Sequence, residues 1–155
     1  MLFLIFQLRN DRYAIEASRV VEVLPLLELK RLPQAPKGVA GIFNLRGRPI
    51  PAIDLSELAF SRAACERLTT RIIVINHTDS RGKTQPLGLI AEHVTQTLRR
   101  EPGDFLESGV RLSEAPYLGP VFMDGAAPIQ WLYADKLLSE PIRELLSSGI
   151  RELPV

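Results

Sequence analysis

Between Gly38 and Leu55 the chain sets packing groups against turn-formers in a pattern that reads as a β-hairpin. Val39, Ile42, Phe43, Ile50 and Ile53 are the β-branched and aromatic residues that suit a pleated surface, and Arg46-Gly47-Arg48 interrupts them with a tight turn. The hairpin tip therefore carries two guanidinium groups beside a glycine. The second strand ends at Asp54, which stands where an acidic side chain caps a helix starting at Leu55.

The same alternation of short apolar runs and polar turns continues on both sides. Leu2 to Leu8 reads as a buried first strand, Arg9 to Arg12 as a turn, and Tyr13 to Ile15 as a short second strand. Glu16 to Val21 fits one helical turn, Pro25 ends it, and Pro33 and Pro36 mark the loop before the hairpin. Leu55 to Ala59 suits a short helix, and the polar run Ser61 to Leu68 is the best boundary between two lobes. Further on, Thr69 to His77 predicts a strand buried on both faces, because Ile72, Ile73, Val74 and Ile75 follow one another. Pro86 to Ala91 and Glu92 to Leu98 read as two more strands. Tyr117 to Met123 and Pro128 to Tyr133 form a last hairpin around Asp124 to Ala127.

Ala134 to Ser148 is the one amphipathic helix, with Pro141 inside it and Gly149 as its terminator. About ten short strands at a spacing of roughly 8–12 residues predict an all-β fold of the barrel type. Each half of the chain has a hairpin followed by a helix-like segment, a doubling that the sequence alone leaves suggestive.

A length of 155 residues suits one domain with a sizeable core, and 46% hydrophobic with 24% charged residues is a folded composition. A net charge of +1 with 6% aromatic residues argues against a nucleic-acid binder, which needs a basic face interleaved with stacking groups. The apolar opening Met1 to Phe6 is too short to span a bilayer and lacks a basic leader, so the chain is expected to be cytoplasmic, without membrane insertion. Cys65 has no CxxC partner and reads as a buried or half-buried thiol.

Catalytic chemistry finds little support. His77 and His93 lack metal-ligand spacing, and no nucleophile elbow, P-loop or dinucleotide fingerprint occurs. Asp104 and Glu107 lie in a polar loop where solvated charge is the default. No catalytic residue, metal or cofactor is assigned. Arg46 is the exception among the charged residues, since a guanidinium at a hairpin tip can hold a carboxylate bidentately.

Gly41 through Leu55 resembles the signature hairpin of the CheW-like domain family. The opening Phe3 to Leu8 with Tyr13 to Glu16, the element Arg19 to Val23, the loop Leu32 to Pro36 and the strand Pro86 to Val94 resemble the family's other segments. The resemblance implies two SH3-like five-stranded β-barrel lobes sharing a hydrophobic core, with a C-terminal helix. We place the lobes at 1–60 and 66–155, with the first strand open to sharing and Phe43, Ile53, Ile73 and Ile90 in the shared core.

The resemblance also implies a non-catalytic adaptor that links the cytoplasmic tip of methyl-accepting chemoreceptors to the regulatory domain of a CheA-type histidine kinase. By position, Val20, Glu22 and Gly41 fall on the kinase-facing surface, with Val20 and Gly41 on one exposed patch. Arg46, Gly88 and Val94 fall at a receptor-binding groove between the lobes. Departures at Arg9, Asn10, Arg48, Pro49 and Glu92-His93 suggest a paralogue serving a dedicated array, one with a non-flagellar output. The competing reading is a small β-barrel enzyme or ligand-binding module that uses the inter-lobe cleft. A polar cleft with clustered titratable groups would favour that reading, and an apolar groove rimmed by Arg46 and Val94 would favour the adaptor.

Overall fold

The structure is a computed structural model that describes residues 1–78 and 81–148. Its strands are β1 (Leu2–Leu8), β2 (Asp11–Glu16), β3 (Val20–Pro25), β4 (Val39–Leu45), β5 (Arg48–Asp54), β6 (Arg71–Thr78), β7 (Thr84–Arg99), β8 (Leu118–Asp124) and β9 (Ala127–Leu132), with helices α1 (Leu55–Phe60) and α2 (Glu140–Ser148). The expected all-β class holds. The two strands expected between Pro86 and Leu98 are one strand of 16 residues. The long C-terminal helix is instead a 3₁₀ turn at Ala134–Lys136 followed by α2. Pro141 explains the split, because it sits in the first turn of α2, where its missing N–H leaves no intrahelical bond unmade. Gly149 lies outside the described residues.

Strand pairing runs β3-β6-β7 and β7-β5-β4 around one barrel, and β7-β1-β2-β9-β8 around a second. β7 serves both. Its first part, Thr84 to Ala91, pairs with β6, and its second part, Glu92 to Arg99, pairs with β1. At the crossover His93 adopts a left-handed φ of 46°, and the register against β1 slips between Ile5 and Gln7. The lobes placed at 1–60 and 66–155 therefore do not coincide with the barrels. β1 and β2 belong to the second barrel, while β6 and the first part of β7 complete the first. Hydrogen-bonding partners far away in sequence, which no local pattern encodes, decide that assignment.

Among the described residues, three apolar clusters form the core. Phe43, Ile50, Ile72, Val74 and Ile90 lie inside the first barrel, and Phe3, Ile5, Phe122 and Ile129 lie inside the second. The third cluster joins the barrels and includes Phe6, Ile15, Ile53, Ile73, Ile75, Leu89 and Val94. Alternation along β6 explains why its run of four apolar residues is buried throughout. Ile72 and Val74 face their own barrel, and Ile73 and Ile75 face the junction. Of the four residues expected in the shared core, Ile53 and Ile73 are there, whereas Phe43 and Ile90 point the other way, into the first barrel. Burying each such side chain is worth about 1.5–3 kcal/mol, so the junction holds the barrels together by packing.

Asp54 caps α1 as its position suggests. One carboxylate oxygen accepts from the N–H groups of Ser56 (3.0 Å) and Glu57 (3.2 Å), and the other accepts from Ala64 (2.9 Å). The cap thereby also pins the connector after α1. Cys65 is exposed rather than buried, because the connector runs over the surface, with the Cys65 carbonyl accepting from the buried Thr70 hydroxyl.

Candidate functional site

The site is built on β3 and the β4–β5 tip. Leu45 pairs with Arg48, leaving Arg46 and Gly47 as a two-residue loop with φ of 51° and 85°. Positive φ at both positions is the twist that a two-residue hairpin requires. The Asn44 side chain accepts from the Gly47 N–H at 2.8 Å and steadies the loop. From this tip Arg46 reaches β3, where its Nη1 and Nη2 donate to Glu22 Oε2 (3.0 Å) and Oε1 (2.6 Å). Arg46 is largely exposed and Glu22 is about a quarter exposed (71% and 26%). The hydrogen bonds from Arg46 hold the Glu22 carboxyl below its usual range, and the same bonds raise the Arg46 guanidinium further.

This ion pair spans the seam between β3 and the β4–β5 hairpin, which are not paired with each other in the barrel. A second tie closes the seam further along. Lys30 and Ile42 exchange backbone hydrogen bonds, Lys30 N–H to Ile42 O at 2.8 Å and Ile42 N–H to Lys30 O at 2.9 Å. Gly41 makes that approach possible, since a Cβ there would sit 2.3 Å from the Lys30 carbonyl oxygen.

The expected partner residues do not form two surface patches. Val20 is half-buried against the junction cluster, and Glu22 and Arg46, assigned to different partners, form one clasp. Gly41 is buried beneath the Lys30 backbone, so the exposed patch expected with Val20 does not exist. Gly88 is also buried. Its missing side chain makes room for Phe43, whose Cε1 would lie 2.5 Å from a Cβ.

Val94 is 3% exposed in the junction cluster and donates its N–H to the Thr69 carbonyl, so it floors no open groove. Nor can it share a rim with Arg46. β5 runs parallel to β7 with Ala52 beside Gly88, so the tip lies toward Thr84, roughly 30–35 Å of strand from Val94. The structure adds two residues that sequence reasoning passed over. Val21 (56% exposed) and Val23 (37%) flank Glu22 on the outward side of β3. Their alternation with Val20 and Leu24 was the available signal, obscured because both faces of the strand are apolar.

A cleft of about 580 Å³ lies where the end of β6 meets the chain's C-terminal elements. Ile75, Leu87 and Leu138 line it together with charged side chains. Four of those charges are taken up in pairs, Arg19 with Asp135 at 2.5 Å and Arg143 with Glu140 at 3.6 Å. Neither discriminating arrangement occurs as expected: four of the polar cleft's charges are held in ion pairs, and the Arg46–Val94 groove is absent. Among the described residues, no three His, Cys, Asp or Glu side chains converge as metal ligands would.

Two barrels that share one long strand define a double-barrel all-β module. Residues 2–141 match the CheW-like domain, and the chain belongs to that family. It is 29% identical over 102 residues to the chemotaxis protein CheW of Helicobacter pylori, covering 66% of this chain and 59% of that one. It is 30% identical over 97 residues to the chemotaxis protein CheW of Treponema pallidum, covering 60% and 54%. The matches thus span less than two thirds of those relatives' lengths. The fold also matches a solved structure, the scaffolding protein TtCheW from Thermoanaerobacter tengcongensis, with a TM-score of 0.75 at 21% identity over 89% of this chain and 87% of that one.

Proposed function

We propose that this chain is a non-catalytic adaptor that couples chemoreceptors to a CheA-type histidine kinase in a cytoplasmic chemosensory array. The match of residues 2–141 to the CheW-like domain carries this reading. No helix among the described residues is long and apolar enough to cross a membrane. The work is positional: packed barrels hold a kinase barrel and a receptor tip at a fixed geometry, and no bond is made or broken.

On this reading the outward face of β3 meets the kinase. Val21 and Val23 supply apolar contact area, and the Glu22–Arg46 clasp between β3 and the hairpin tip fixes the shape of the face. Gly41 contributes from beneath by letting the Lys30 segment close the seam. Arg46 acts through Glu22 rather than as a separate receptor anchor.

Calorimetry with a kinase regulatory domain and a receptor cytoplasmic fragment tests this assignment. Arg46→Ala and Glu22→Ala are expected to weaken kinase binding to a similar extent. The charge-swapped pair, Glu22→Arg with Arg46→Glu, should recover part of the loss. If Arg46→Ala abolishes receptor binding and leaves kinase binding intact, the clasp reading is wrong. If wild-type protein binds neither partner, the adaptor reading itself fails.

A further inference from the structure

A two-residue loop closes on a hydrogen-bonded pair, here Leu45 with Arg48, and the next such pair along the hairpin is Phe43 with Ile50. The pairs between them set Asn44 against Pro49 and Ile42 against Pro51, and a proline has no N–H to give. The backbone groups of Ile42 and Asn44 therefore point out of the hairpin, toward the seam with β3. Those of Ile42 are taken by Lys30. Continued by two residues, that register would set Glu28 against Asn44, but the bridge is isolated. On the β3 side of Lys30 the chain peels away from β4. Among the described residues, the Asn44 N–H and C=O then meet no backbone partner across the seam.

A groove of about 690 Å³ opens there, between Leu29 and Lys30 on one side and Ile42, Asn44 and Pro49 on the other. The buried Phe43 also lines it, so its walls are largely apolar. Its surroundings are basic. From Glu28 to Arg48 the chain carries five Lys or Arg residues and one acidic residue, Glu28 itself. Arg46 is held by Glu22, and Arg31 donates to the Ala40 carbonyl at 3.3 Å. Lys30 and Arg48 are both exposed, and neither enters an ion pair among the described residues.

We propose that this groove docks a short extended segment of a partner protein, one that alternates apolar and acidic side chains and adds to β4 opposite Asn44. Main-chain bonds to the Asn44 N–H and C=O would fix the segment as an added strand. The two-residue period of that strand sends its apolar side chains toward Leu29 and Phe43, and its carboxylates toward the face that carries Lys30. Opposite charge across a strand pair is favourable and like charge is not, so a basic segment is rejected. Neither Val21 nor Val23 lines the groove, and the site stands whether or not the β3 face meets a kinase.

NMR titration of the full isotope-labelled chain tests this, with a capped Val-Glu-Val-Glu-Val-Glu peptide as probe and its Val-Lys counterpart as control. The acidic probe should give saturable shifts centred on Lys30, Ile42 and Asn44, and slow exchange of the Asn44 amide by about tenfold as that N–H becomes bonded. Raising NaCl from about 0.05 to 0.5 M should weaken binding by about threefold or more. Lys30→Glu with Arg48→Glu should lose the acidic probe and take up the lysine one. The thermal midpoint should hardly move, because both side chains are exposed. Should that variant fail to fold, a probe N-methylated at its central residues decides on the wild-type protein, where it must bind far more weakly. Absence of binding by the acidic probe overturns the proposal, as does equal binding of both probes or undiminished binding of the N-methylated one. Shifts that leave Asn44 exchange unchanged would reduce the site to surface charge and overturn strand addition. Asn44 shifts that track protein concentration without any peptide would give the groove to a second copy of the chain, which also refutes it.

Discussion

Gly88→Ala separates a core position from a partner-binding one. A methyl group at this position would lie 2.5 Å from Phe43 Cε1, 2.9 Å from Ile72 Cγ2 and 3.0 Å from Phe43 Cζ. Phe43 and Ile72 are essentially fully buried, so neither has solvent to retreat into. Overpacking of this kind typically costs about 1–3 kcal/mol. For a chain of this size each kcal/mol moves the thermal midpoint by about 2–4 °C, so the expected drop is roughly 2–12 °C. Differential scanning calorimetry measures it directly. The double mutant Gly88→Ala with Phe43→Leu removes the ring that the methyl strikes, and should lose less than the sum of the two single changes. A Gly88→Ala protein that melts like wild type yet fails to bind a receptor fragment would refute the packing argument and return Gly88 to an interaction surface.

Three other outcomes follow from the geometry. His93 holds a φ of 46° at the strand crossover, so His93→Val should destabilise by about 1–2 kcal/mol in urea titrations while His93→Gly does not. Glu22 has a lowered pKa in the folded protein, so its contribution is complete above the ordinary value of 4.5 and is lost as pH falls from there through the lowered value. The stability difference between wild type and Glu22→Gln, followed by chemical denaturation against pH in low salt, should accordingly shrink below pH 4.5 and stay constant above it. Burial, with Asp11 and Tyr117 nearby, pushes the Tyr13 phenol up from 10.0 to about 12. The unfolded chain then ionises first, so stability should fall as pH rises from 10.0 to about 12, and Tyr13→Phe should flatten that fall.

Local chemistry was legible before any coordinates. The hairpin from Val39 to Asp54 follows from alternating β-branched residues around a glycine turn, and the Asp54 cap follows from its place before a helix-forming run. The all-β class and the helical turn expected over Glu16 to Val21 rest on the same short-range rules, although the turn forms only at Ala17–Arg19 and Val20 and Val21 already belong to β3. Each of these depends on residues within a few positions of one another, which is the range over which backbone preference acts.

What the sequence by itself determined was therefore most of the strands, though not β3 or the unbroken length of β7, with their turns and the charged hairpin tip; the tertiary structure decided what each of them meets. Gly41 and Gly88 signalled close approach without saying by what, and the answer is the Lys30 carbonyl in one case and the Phe43 ring in the other. Val94 looked like a groove floor but is enclosed, because β7 passes through the junction between barrels there. Arg46 and Glu22 lie 24 residues apart and meet only because the barrel curls β3 back to the hairpin tip. The completion of the first barrel by β6 and the first part of β7 is the same lesson at larger scale. Strand partners are chosen by burial of complementary faces across the whole chain, and that choice is made only when the chain folds.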